Sequence, residues 1–286
     1  MFKNVLVGVD GSPNGRDAIA LATQLRVHDA RLTLAHVHRG ELAVELEDSH
    51  ELLERERTAA GVEAQLISRV AASPGRGLHE QAEEQRADLL VVGSCGHSMF
   101  GRAMLGDDTR GALNGAPCAV AVATRGYAER PTPISKVGVA YNGSAESTAA
   151  LELARELAAS TAATVHALEV VSLPPVAYGG MVPPIGEYID GMVKEANGRL
   201  QELSGVDGRA VYGIPGEELA AFGDEVDILV VGSRGYGPVR RLVIGSTSNY
   251  LERHARCSLL VLPRAAEIAD TAREGERRNE LHAATG

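Results

Sequence analysis

The sequence predicts two tandem doubly wound α/β domains, each built on a five-stranded, mainly parallel sheet. Three observations carry this. A long stretch recurs at a fixed offset: Val91 to Cys118 reads VVGSCGHSMFGRAMLGDDTRGALNGAPC, and 139 residues later Val230 to Cys257 reads VVGSRGYGPVRRLVIGSTSNYLERHARC. Within each half, runs of Val, Leu and Ile alternate with Ala- and Leu-rich helical runs about five times. Those runs are continuously apolar rather than alternating with polar residues, as expected of parallel strands covered by helices on both faces. Finally, 286 residues at 44% hydrophobic content suffice for two cores of ordinary domain size.

The elements follow in order. KNVLVGVDGS (Lys3 to Ser12) and SKVGVAYNGS (Ser135 to Ser144) are first strands ending in Gly-Ser turns. RDAIALATQLRV and STAALELARELAAS are the helices that follow them, and RLTLAHVH (Arg31 to His38) and ATVHALEVV (Ala163 to Val171) the second strands. RADLLVVGS and EVDILVVGS lead into the glycine-containing loops, and CAVAVATR and CSLLVLPR close each half. The expected boundaries are a first domain over 1–125, a polar, Pro-containing linker over 126–135, a second domain over 136–264 and a polar tail over 265–286. The two sheets are expected to pack as a pseudo-symmetric pair. A Pro/Gly-rich insertion, SLPPVAYGGMVPPIGEY (Ser172 to Tyr188), has no counterpart in the first half.

Composition excludes several classes. A net charge of −10 leaves no basic excess to displace counterions, so neither nucleic acid nor an anionic membrane is the expected partner. No apolar run reaches the length of a spanning helix, and Met1 is followed by a strand-like run rather than a signal sequence. Three cysteines give no disulfide framework. A cytoplasmic protein is the expectation. Cys118 and Cys257 read as buried apolar groups, and Cys95 as a lone loop thiol. His36 and His38 alternate on a strand without further residues at metal-ligand spacing.

The glycines carry the chemistry. Gly93, Gly96 and Gly106 match Gly232, Gly235 and Gly245. Ligands of doubly wound sheets bind beyond the carboxyl ends of the strands, where these loops begin. A glycine at a strand end lacks Cβ and lets a ligand approach the backbone. Gly245-Ser246 opens a helix whose unpaired N–H groups suit a phosphate, with the hydroxyls of Ser246 and Thr247 at hand. His97 and Arg234 lie in the two loops as further candidate phosphate contacts. The spacing is neither the P-loop nor the compact dinucleotide fingerprint.

The second-half pattern, Gly-x2-Gly-x9-Gly-Ser, resembles the ATP-binding motif of the universal stress protein family, and the likeness covers residues 1 to 263 as two tandem copies. The resemblance implies a Rossmann-like, adenine nucleotide alpha hydrolase-like fold with ATP as ligand. It also implies pairing of the last strands of the two halves, and a homodimer. In the ATP-binding branch, an Asp ending the first strand contacts the nucleoside and a Val backbone on the second strand contacts adenine. The matching positions are Asp10 and Val37 in the first half, Asn142 and Val170 in the second.

Each half departs once from that pattern. The first keeps Asp10 but has Asp107 where Ser or Thr is expected; the second keeps Ser246 but has Asn142 where Asp is expected. Asn142 lacks the charge yet keeps an acceptor for a ribose hydroxyl. Asp107 sets a carboxylate against a phosphate, a repulsion of about 4 kcal/mol at ~4 Å and an effective dielectric of 20. A bridging Mg²⁺ would invert that sign. The second half is therefore expected to be the stronger site. The expected function is a nucleotide-binding regulatory or stress-response protein with little or no turnover, since a turnover site needs a positioned base or metal-holding carboxylate. The rivals are an ATP-hydrolysing or adenylyl-transfer enzyme of related fold and a partner-binding scaffold with degenerate pockets.

Overall fold

The structure, a computed structural model, describes residues 1–40, 43–94, 107–173, 185–233, 242 and 245–263. In the first half the order is β1 (Phe2–Gly8), α1 (Pro13–Leu25), β2 (Arg26–His38), α2 (Ala43–Ala60), β3 (Gln65–Val70), α3 (Pro74–Gln85), β4 (Leu89–Gly93), α4 (Asp107–Leu113) and β5 (Ala119–Ala123). The second half repeats it: β6 (Lys136–Ala140), α5 (Ala145–Thr161), β7 (Thr164–Val171), α6 (Ile185–Gln201), β8 (Val206–Tyr212), α7 (Pro215–Phe222), β9 (Ile228–Gly232), α8 (Ser246–His254) and β10 (Ser258–Leu262).

Serine caps start three of the helices. Ser12 accepts from the Gly15 N–H at 3.4 Å ahead of α1, and Ser73 from the Arg76 N–H at 3.4 Å ahead of α3. Ser144 accepts from the Ser147 N–H at 3.2 Å ahead of α5. Pro13 and Pro74 follow two of these caps, where proline's missing N–H costs nothing.

The strands run in the order β3-β2-β1-β4-β5-β10-β9-β6-β7-β8. Each half has the doubly wound order 3-2-1-4-5 with parallel neighbours; Val5 of β1 lies opposite Leu32 of β2, and Val137 of β6 opposite Val165 of β7. The last strands pair antiparallel, Leu260 opposite Ala121. That pairing, which the resemblance implied, corrects the picture of two separate packed sheets: the halves share one hydrogen-bonded ten-stranded sheet. Pairing leaves neither last strand as an open edge, and so removes two rows of unsatisfied N–H and C=O groups.

Helices cover both faces. One layer packs Ile19, Leu21 and Leu25 of α1, Leu53 of α2 and Leu151 and Leu157 of α5 onto the sheet. The opposite layer packs Leu78 of α3, Leu113 of α4, Leu219 and Phe222 of α7 and Leu251 of α8. The first of these cores runs through the joint without a break and takes in Tyr127 and Ile134. The segment expected as a polar linker is thus partly interior. Asp17 of α1, 2% exposed, accepts from the N–H groups of Gly126 at 2.8 Å and Ala128 at 2.7 Å and fixes the start of this segment. Cys118 and Cys257 are buried, as expected, and burial pushes both thiols up to about 12. The insertion residues 174–184, Cys95 and the tail lie outside the described residues.

Candidate functional site

The site begins where the chain reverses the direction of winding. From β1 the chain passes to α1 on one face; from β4 it passes to α4 on the other. In doubly wound sheets the ligand crevice lies between two such diverging connections; here that switch point falls beyond the ends of β1 and β4, and its copy beyond the ends of β6 and β9. Crossover helices run back against parallel strands, so the N-termini of α1, α4, α5 and α8 all lie at this edge.

Two residues past the end of β1, the Asp10 side chain folds back onto its own turn. Its Oδ1 accepts from the Ser12 N–H at 3.0 Å and from the Ser12 hydroxyl at 2.6 Å. Asn142 makes the same turn in the second half: its Oδ1 accepts from the Ser144 N–H at 3.1 Å, while its own N–H donates to Ser147 Oγ at 3.3 Å. Both side chains are exposed. Sequence reading gave Asn142 an acceptor for a ribose hydroxyl; that oxygen already holds the turn, because the backbone N–H of Ser144 is a donor that needs it. Ser12 and Ser144, noted only as turn residues, prove to be joint architects of turn and helix cap.

Gly93 and Gly232 end the strands on the other side of each crevice, and their lack of a side chain serves packing. A Cβ on Gly93 would lie 2.2 Å from the Asn14 carbonyl oxygen, and one on Gly232 2.8 Å from Glu146 Cβ. The first turn of the neighbouring helix occupies the space that was expected to admit a ligand to the backbone. Neither glycine has a positive φ.

Val37 and Val170 occupy matching positions on β2 and β7, both half-buried. The β1–β2 ladder ends with Gly8 opposite Ala35, followed by the Val9 N–H donating to the Ala35 carbonyl at 2.9 Å. Alternate residues of a strand present their amide groups to alternate sides. The main-chain groups of Val37 therefore face the same side as those of Ala35, into the space beyond the end of β1. Val170 repeats this past the Tyr141 N–H bond to the Leu168 carbonyl, at 3.0 Å. Beside Val37, His36 Nδ1 lies 2.8 Å from the Val9 carbonyl, which can only accept, so Nδ1 carries the proton. His38 Nε2 lies 2.8 Å from Ser68 Oγ. Among the described residues no group of side chains is arranged to hold a metal ion.

The second half replaces His36 by Glu169, which sequence reading missed although a lone carboxylate in the apolar run ALEVV was its signal. Glu169 is 5% exposed and accepts from Arg199 of α6 at 2.6 Å through Oε1; its Oε2 is buried without a partner among the described residues. The hydrogen bond to Glu169 raises the Arg199 guanidinium further above its ordinary value.

Gly245 is the N-cap of α8 in extended conformation, and no side chain caps the helix there. Ser246 is exposed and Thr247 half-buried in its first turn. Asp107 is the first residue of α4. Gly96, His97, Gly106, Arg234 and Gly235, and the side chain of Asp107, lie outside the described residues. Of the sequence candidates, the structure thus brings Asp10, Val37 and Gly93 to one crevice, and Asn142, Val170, Gly232, Gly245, Ser246 and Thr247 to the edge of the other.

The strand order and its two switch points define a tandem doubly wound α/β protein. The model of the universal stress protein family matches residues 1–124 and again 133–263, and the chain belongs to that family. A universal stress protein of Mycobacterium tuberculosis is 23% identical over 295 residues, covering 91% of this chain and 99% of its own. A second from the same organism is 26% identical over 286 residues, covering 90% and 96%. Among solved structures, a universal stress protein from Archaeoglobus fulgidus aligns with a TM-score of 0.61 at 20% identity, over 91% of this chain and 96% of that one. No helix among the described residues is long and apolar enough to cross a membrane.

Proposed function

We propose that this chain is an adenine-nucleotide-binding regulatory protein of the stress response, that ATP is its ligand, and that it turns ATP over slowly or not at all. The observation that carries the reading is the second crevice: Ser246 and Thr247 open α8 behind an N-cap glycine after β9, across the switch point from Asn142 past β6, with Val170 one strand further on, on β7. A helix start of this kind offers N–H donors and a partial positive charge to phosphate. From β9 across β6 to β7 the strand order spans two inter-strand spacings, about 10 Å. The first crevice, with Asp10 at the nucleoside end and Asp107 at the phosphate end, is the weaker ATP site unless Mg²⁺ bridges the carboxylate. In this reading the protein is cytoplasmic, and two chains associate as a homodimer.

Mass spectrometry of nucleotide released from the purified, denatured protein is the test. Near-stoichiometric ATP supports the proposal. Sustained phosphate release at the roughly 1 to 10³ per second of ordinary enzymes would replace it with an ATP-consuming enzyme. A protein that is empty and fails to bind added ATP would leave the scaffold reading.

A further inference from the structure

We propose that Asn142 lets the second crevice accept adenine nucleotides that carry a further phosphate on the 2′- or 3′-hydroxyl, as well as those without one, whereas Asp10 restricts the first to nucleotides whose 2′- and 3′-hydroxyls are free. This rests on the nucleotide-binding reading above and deepens it.

The strand order places the ribose. A ligand with its 5′-phosphates at the start of α8, which follows β9, extends across the end of β6 toward β7, because β6 lies between them. Asn142 stands just past the end of β6, exposed, and so meets the middle of the ligand. Asp10 stands equally past β1, between β4 and β2.

The hydrogen bonds then decide what each side chain offers. Both turns are closed by a side-chain Oδ1 accepting a serine N–H, from Ser12 at 3.0 Å and from Ser144 at 3.1 Å. Since a backbone N–H can only donate, the Asn142 atom facing Ser144 is its oxygen, and the amide nitrogen points the other way. Asp10 has a second carboxylate oxygen in that place. One crevice therefore presents two N–H donors without charge; the other presents an anionic acceptor. A ribose hydroxyl can donate to the carboxylate in a charge-assisted bond, but a 2′- or 3′-phosphate is repelled by it. The same phosphate accepts from the Asn142 amide. The difference is one of sign, and it lies in the atom left over after the turn is made.

Calorimetric titration of the full chain with ADP, and separately with adenosine 3′-phosphate 5′-diphosphate, tests this. Wild-type protein is expected to bind ADP at both crevices and the 3′-phosphorylated ligand at one. Asn142→Asp is expected to weaken the 3′-phosphorylated ligand about tenfold or more, with ADP changed by less than about threefold. Asp10→Asn is expected to open the first crevice to the 3′-phosphorylated ligand. Each variant carries the side chain that already closes the same turn in the other half, so the fold is kept. An unchanged ratio of the two affinities in Asn142→Asp would overturn the inference while leaving nucleotide binding intact. Failure of the wild-type chain to bind either ligand would overturn the nucleotide reading itself, and the inference with it.

Discussion

Leu242, which lies between the second and third glycines of the second-half loop, is hydrogen-bonded to Gly115 of the first half. The Gly115 N–H donates to the Leu242 carbonyl at 2.9 Å, and the Leu242 N–H donates to the Ala116 carbonyl at 3.2 Å. The Leu242 side chain is fully buried in the core on the α4 and α8 face. Leu242 is thus anchored on the turn that follows α4 in the opposite half.

Leu242→Ala is accordingly expected to destabilise the whole chain by about 2–5 kcal/mol, the usual cost of removing a buried leucine side chain from a packed core. Urea denaturation followed by circular dichroism measures it. A change near zero would mean that the loop's anchor carries no stability.

Gly93→Ala is expected to be more damaging than Gly232→Ala. The added methyl at 93 meets a backbone oxygen at 2.2 Å, which moves only if α1 moves; at 232 its nearest contacts lie at 2.8 Å. Both are overpacking substitutions, of about 1–3 kcal/mol each, with Gly93 at or above the upper end. Thermal unfolding of the two variants side by side gives the order, and a reversed order would contradict the packing reading of Gly93.

Ser246→Asp is expected to separate stability from binding. A carboxylate in the first turn of α8 interacts favourably with the helix dipole, so stability should hold or rise by about 0.3–1 kcal/mol. ATP affinity should fall about tenfold or more, because the same charge faces the phosphates. Asp107→Ser should do the reverse in the first half and strengthen ATP binding there. Titration calorimetry with and without Mg²⁺ reads both. If wild-type protein binds only when Mg²⁺ is present, and Asp107→Ser loses that binding, the first crevice is the working one.

The buried thiols predict a pH dependence. Cys118 and Cys257 are raised from an ordinary value near 9 to about 12, chiefly by burial. In the unfolded chain both ionise near pH 9, while in the folded chain both stay neutral until about 12. Their contribution to stability is therefore fully present below pH 9 and is lost progressively between pH 9 and about 12. In a Cys95→Ser variant at about pH 8, a thiol reagent should find no reactive group in the native protein and both thiols after denaturation. Rapid native-state reaction of either thiol would contradict their burial.

Much of this protein is legible in one dimension. The repeated glycines, the Gly-Ser turns and the continuous Val, Leu and Ile runs are local signals, since each reflects what a few neighbouring residues need: a buried strand, a capped helix, a sharp reversal. They determined the two α/β halves and the parallel strands, while the matching of Asp10 with Asn142 and of Val37 with Val170 came from the family resemblance. Contacts between residues distant in sequence were decided only in three dimensions. Gly93 looked like a place for a ligand to approach, and packing gave that space to Asn14. The segment holding Tyr127 and Ile134 looked like a polar linker, until Asp17, far earlier in the chain, supplied the acceptors that hold it against a shared core. Asn142 shows the limit most plainly: its residue type names both an acceptor and a donor, and only the position of the Ser144 N–H decides which one is left to face the crevice.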